Sequence, residues 1–136
     1  MNIEQQKSTL TLCLMAAFAD GGKDERERER LKQVADTLVG EGGSAAALNL
    51  PQIYQDVLFK RVTMESAVTA LTEPDSKRLA YEMAVHVIDA DGTQTETERA
   101  FLTTLRTQLG LSESDAQDLA QSGNAIADAA YGPAAA

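Results

Sequence analysis

A ten-residue acidic stretch occurs twice in this chain, and the repetition limits its possible folds more than any other feature. The first copy is Ala19-Asp20-Gly21-Gly22-Lys23-Asp24-Glu25-Arg26-Glu27-Arg28 and the second is Ala90-Asp91-Gly92-Thr93-Gln94-Thr95-Glu96-Thr97-Glu98-Arg99. Ala, Asp, Gly, Glu, Glu and Arg match in place, and Leu31 and Leu102 follow at equal distance. Each copy comes after an apolar segment and opens a charged one with helical spacing. A duplication of this kind fixes architecture. It predicts two helix–turn–helix units, each with an Asp at its turn and a Glu just inside the next helix.

The segments on either side read as helices. Residues Ile3 to Ala19 are rich in helix formers, and Leu10 to Phe18 are apolar almost throughout, so this half-helix should be buried all round. Asp20-Gly21-Gly22 stops it. Asp24 caps a second helix, Glu25 to Val39, with Leu31, Val34, Ala35 and Leu38 as its inward stripe. Four residues before Leu31 stands Glu27, which extends that stripe; most of the remaining Glu/Arg run reads as solvated surface of alternating charge.

Gly40 to Ser44 is a flexible loop. A third helix runs from Pro51 to Arg61 and a short fourth from Thr63 to Leu71, broken by Pro74. A fifth, Asp75 to Ile88, mirrors the first. Thr95 caps a sixth, Glu96 to Leu109, whose stripe is Phe101, Leu102, Leu105 and Leu109; Glu98 stands to Leu102 as Glu27 does to Leu31. Ser112 caps a last helix, Glu113 to Ser122, with a continuation from Asn124 to Ala130. No segment alternates with the period of a strand. The reading is all-α: one domain of about seven helices over residues 1–130, with 131–136 a disordered tail.

Charge and composition narrow the function classes. The net charge is -9, from 21 acidic and 12 basic residues, and no basic stripe is present, which argues against nucleic acid. Aromatic residues are 4% with no Trp, too few for a base-stacking platform. The apolar run ending at Phe18 is too short to span a bilayer and lacks a signal-peptide pattern. The expectation is a cytoplasmic protein. The single cysteine, Cys13, lies in that run and reads as a small buried hydrophobe, and the single histidine, His86, as a packed core residue. Metalloprotease and serine-hydrolase motifs are absent.

Asp20 and Glu27, like Asp91 and Glu98, stand seven residues apart across a turn. If the two hairpins pack about a pseudo-two-fold axis, four carboxylates converge, and converging carboxylates repel unless they are protonated or share a cation. Oxygen ligands of this kind suit Ca²⁺, Mg²⁺ or Mn²⁺; Zn²⁺ completes the candidate set. The candidate metal ligands are Asp20, Glu27, Asp91 and Glu98, with Asp89, Glu25 and Glu96 as helpers. An EF-hand register fails, because its leading position falls on Val87 in one copy and Ala16 in the other. Helix capping competes with the metal reading: Asp24 to Glu27 and Thr95 to Glu98 both have the spacing of a capping box. Under that alternative the motif is structural, and the acidic face holds a basic protein partner. A metal-dependent carboxylate hydrolase is a third and weaker reading.

The paired Ala-Asp-Gly turns, each following a buried helix and preceding a Glu-rich helix start, resemble the tellurite-resistance TerB-like family. The matching residues are Ala19-Asp20-Gly21 with Glu27 and Ala90-Asp91-Gly92 with Glu98, and the likeness covers roughly residues 3 to 120. The resemblance implies an all-helical domain with pseudo-repeat symmetry. It also implies an acidic cluster proposed to bind metal, a role in bacterial stress or tellurite resistance, and no enzymatic activity.

Overall fold

Apolar side chains on nearly every side of two helices force those helices to the centre. In the computed structural model, which describes residues 3–19, 25–39, 48–88 and 95–119 and only the backbone of 25–28, these are α1 (Ile3–Ala17) and α5 (Pro74–Ile88). The others are α2 (Glu25–Val39), α3 (Leu50–Leu58), α4 (Met64–Ala70) and α6 (Glu96–Leu109), with α7 over 113–119. The described residues are all-α, with seven helices and no strand. The loop expected at Gly40 to Ser44, the extension from Asn124 to Ala130 and the tail 131–136 lie outside them.

α1 and α5 pack on each other more extensively than any other pair, and a core lies on either side of them. On one side Leu10, Cys13, Leu14 and Ala17 of α1 meet Leu31, Val34 and Ala35 of α2, with Ile53 of α3 and Met83 and Val87 of α5. On the other, Tyr81, Ala84, Val85 and Ile88 of α5 meet Leu102, Leu105 and Leu109 of α6, with Ala67 of α4 and Leu12 and Ala16 of α1. A shift of 71 positions, the spacing of Asp20 and Asp91, carries one set onto the other. Leu10, Cys13, Leu14 and Ala17 map to Tyr81, Ala84, Val85 and Ile88. Leu12 and Ala16 map to Met83 and Val87, and Leu31 and Val34 to Leu102 and Leu105. The duplication therefore extends from sequence to packing. Each repeat lends two residues of its first helix to the core of the other.

Polar residues in this interior are tied to the backbone, as burial requires. The Thr9 hydroxyl donates to the carbonyl of Gln5 at 2.9 Å and that of Thr11 to Lys7 at 2.8 Å. The Gln6 amide donates to the carbonyl of Leu38 at 2.9 Å, joining the first turn of α1 to the last of α2.

Several helix ends follow their capping residues. Thr63 caps α4 and Thr95 caps α6, each through a reciprocal box. The Ser112 hydroxyl accepts from the amide of Asp115 at 3.1 Å. Gly110, at φ 73°, closes α6 with the amide of Leu111 donating to Arg106 and that of Gly110 to Thr107, the paired bonds of a Schellman motif. α3 ends at Leu58, three residues short of the expected Arg61. The amides of Lys60 and Arg61 donate back to Val57 and Asp56, the same motif, with Lys60 in the left-handed region at φ 56°. A lysine there costs about 1–2 kcal/mol relative to its usual conformation, and no glycine announces the stop. α1 also closes earlier than expected, at Ala17, with Phe18 and Ala19 forming a turn.

Candidate functional site

The second acidic stretch is described from Thr95 onward. Thr95 has extended backbone (φ -76°, ψ 165°), as an N-cap requires. Its hydroxyl accepts from the amide of Glu98 at 3.1 Å, and the Oε1 of Glu98 accepts from the amide of Thr95 at 2.9 Å. This capping box has an unusual setting. Glu98 is 0% exposed, because it lies one turn ahead of Leu102 on the stripe that α6 turns toward the core. Its carboxylate serves the helix end and also places an acidic group inside the protein, near the positive end of the helix dipole. Glu96, two residues earlier, is exposed.

Of the other residues expected at a metal centre, Asp20, Asp89 and Asp91 lie outside the described residues. Glu25 and Glu27 belong to the first turn of α2, and their side chains also lie outside. Among the described residues no three His, Cys, Asp or Glu side chains gather in a way that could hold a metal ion.

The structure adds Arg30. As part of the Glu/Arg run it is expected on solvated surface, yet it is 4% exposed, whereas its neighbour Glu29 is exposed. The reason is a specific berth on α5. The Nη1 of Arg30 donates to the carbonyl of His86 at 2.9 Å and lies 3.3 Å from the Nδ1 of the same residue. That carbonyl belongs to the last turn of α5, where four acceptors lack partners within the helix and the dipole favours a cation. His86 is itself buried, at 3% exposure. One sequence signal could have flagged the position: the repeat places Phe101 opposite Arg30 and Met15 opposite His86, and apolar counterparts mark inward-facing sites.

This contact relates the two turns. Arg30 lies in the second turn of α2, the helix that follows the first acidic turn. His86 lies in the last turn of α5, the helix that precedes the second. The flanks of both acidic stretches are thus joined at one end of the helical assembly.

Other reactive groups are poor candidates for chemistry. Cys13 is fully buried, and burial pushes its thiol far above the ordinary range, which removes the thiolate needed for nucleophilic attack. Burial also raises the Tyr81 phenol, partly offset by the Arg106 guanidinium. A cleft of about 440 Å³ between α1, α2 and α3 is lined mainly by Leu14, Leu31, Leu50, Pro51 and Tyr54, with Lys32 and Gln55 as its other polar lining, and its described lining holds no carboxylate, histidine or cysteine.

A protein-family model matches residues 2–122, which contain every described residue. The chain belongs to the DUF533 family. DUF533 is described as a family of proteins of unknown function, and it is TerB-like, in agreement with the likeness carried by the paired Ala-Asp-Gly turns. No curated protein and no solved structure matches the chain. DUF533 membership brings no catalytic assignment. No helix among the described residues is long and apolar enough to cross a membrane.

Proposed function

We propose that this DUF533 protein is a non-enzymatic, TerB-like binding module of the bacterial cytoplasm whose two acidic turns together take one divalent cation. Asp20, Glu27, Asp91 and Glu98 are its ligand candidates, with Asp89, Glu25 and Glu96 in support. The observation that carries the reading is the Arg30–His86 contact, since it ties the helix leaving one turn to the helix approaching the other. Two turns anchored at opposite ends could not share an ion. Glu98 adds a carboxylate held out of solvent beside the second turn. A role in stress or tellurite resistance is part of the same proposal and comes from the TerB-like resemblance. Calorimetric titration with Ca²⁺, Mg²⁺, Mn²⁺ and Zn²⁺ in turn tests the site. One of them should release heat and raise the melting temperature, and Asp20→Asn with Asp91→Asn should abolish both effects. Silence from all four metals removes the cation site.

A second reading rests on the Thr95–Glu98 capping box, which gives Glu98 a structural task without any metal. In it the repeated motif only caps helices, and the acidic surface engages a basic protein partner. Asp20→Asn with Asp91→Asn would then weaken binding of a Lys/Arg-rich peptide in a salt-dependent manner without any metal response. Unchanged peptide binding counts against it.

A further inference from the structure

We infer that Arg30 and His86 form a clasp between the repeats, in which His86 is the neutral imidazole protonated on Nε2 and Arg30 holds the last turn of α5 in place. A guanidinium has five donors and no acceptor. An Nη1 at 3.3 Å from the Nδ1 of His86 is therefore a hydrogen bond only if that nitrogen carries a lone pair. A proton on Nδ1 would point N–H at N–H inside the protein, beside a permanent positive charge. The proton of the neutral ring is then on Nε2.

The same Nη1 donates to the His86 carbonyl at 2.9 Å. One side chain thus meets two groups of one residue, and both are acceptors. The carbonyl lies in the last turn of α5, so the guanidinium brings a donor and a positive charge to the helix end whose dipole favours a cation. Gln6 supplies a donor without the charge to the last turn of α2 through Leu38, and it acts within one repeat. Arg30 acts across the boundary, from the second helix of one repeat to the first helix of the other. It is a positioning residue for the approach to the second acidic turn, and its role holds whether or not a cation binds there.

Ring nitrogen shifts of His86, measured on the ¹⁵N-labelled full chain at pH 7, test the tautomer directly. The expected spectrum has an unprotonated Nδ1 and a protonated Nε2. A protonated Nδ1, alone or together with Nε2, overturns the clasp. Amide exchange tests the positioning role. In Arg30→Met, which keeps a long unbranched side chain, the amides of Val85 to Ile88 should exchange about tenfold faster or more, with the first turns of α5 changing much less. Equal acceleration along all of α5, or none, overturns it. If Arg30→Met does not fold, His86→Asn against His86→Leu decides the same question. The Asn Oδ1 offers an acceptor in place of Nδ1, so His86→Asn should protect the last turn of α5 better than His86→Leu. Equal protection in the two variants overturns the clasp.

Discussion

The two repeats bury matching residues almost position for position, but they cross into each other by different means. Where the second helix of the first repeat reaches α5, it sends Arg30 to His86. At the matching positions of the other crossing stand Phe101 of α6 and Met15 of α1, both packed against the core between them. One crossing is polar and directional, and the other is apolar and tolerant of shape. Hydrogen bonds fix a distance and an angle, whereas a Phe and a Met need only fill volume. A duplicated fold can thus keep its pseudo-symmetric packing while specialising one crossing. The specialised crossing joins the helices that flank the two acidic stretches.

The largest effect expected from breaking this contrast comes from Arg30→Ala. It removes at least the two hydrogen bonds to His86 from a charged donor in the interior, at a cost of about 3 kcal/mol. Phe101→Ala, at a half-buried site, should cost about 2 kcal/mol. Denaturant unfolding of the two variants checks the order, and the opposite order would make the apolar crossing the stronger. Copying the apolar crossing onto the polar one comes next. Arg30→Phe together with His86→Met should lose less stability than the sum of the single changes, with a coupling of about 1 kcal/mol. Strict additivity in the double-mutant cycle would mean that the two side chains are independent.

Smaller effects compare the caps. Thr95 occupies the position of Asp24 in the first copy. Thr95→Ala should cost about 1 kcal/mol, whereas Thr95→Asp, which gives the second copy the residue of the first, should cost a few tenths at most. Thermal unfolding separates them. The smallest effect is pH-dependent. Burial raises the Glu82 carboxyl above its ordinary range, so folding disfavours its charged form. That penalty is absent below the ordinary carboxylate range and grows as pH rises through the raised value. Glu82→Gln should therefore raise the melting temperature at pH 7 and leave it unchanged below about pH 4. A gain that persists in acid would have another cause.

Much of the fold was legible because the sequence states it locally. Thr95, Ser112 and Gly110 mark helix ends with residues whose side chains or backbone freedom do the capping. The stripes through Leu31 and Leu102 declare which faces turn inward, and they also placed Glu98 in the interior. Two features escaped for physical reasons. The end of α3 depends on Lys60 adopting a left-handed conformation, which tertiary packing imposes and the residue type does not signal. Arg30 escaped because a charged residue in a charged run reads as surface, and the carbonyl and imidazole that receive it stand on a distant helix. The candidate site was legible as a set of residue types, yet its geometry depends on turns that no local rule fixes.

The dominance of the α1–α5 pairing also bears on how the chain comes to be folded. A nascent chain emerges from its first residue onward. Its first helix, α1, has its principal partner in α5, Pro74–Ile88. Residues such as Leu12 and Ala16, which belong to the core of the opposite repeat, meet α4 first and are covered by Tyr81 to Ile88 of α5 and by α6 after the second half of the protein has been made. Neither repeat is then a folding unit in its own right, and the interval before α5 appears is when the chain is most exposed to aggregation and most in need of a holdase.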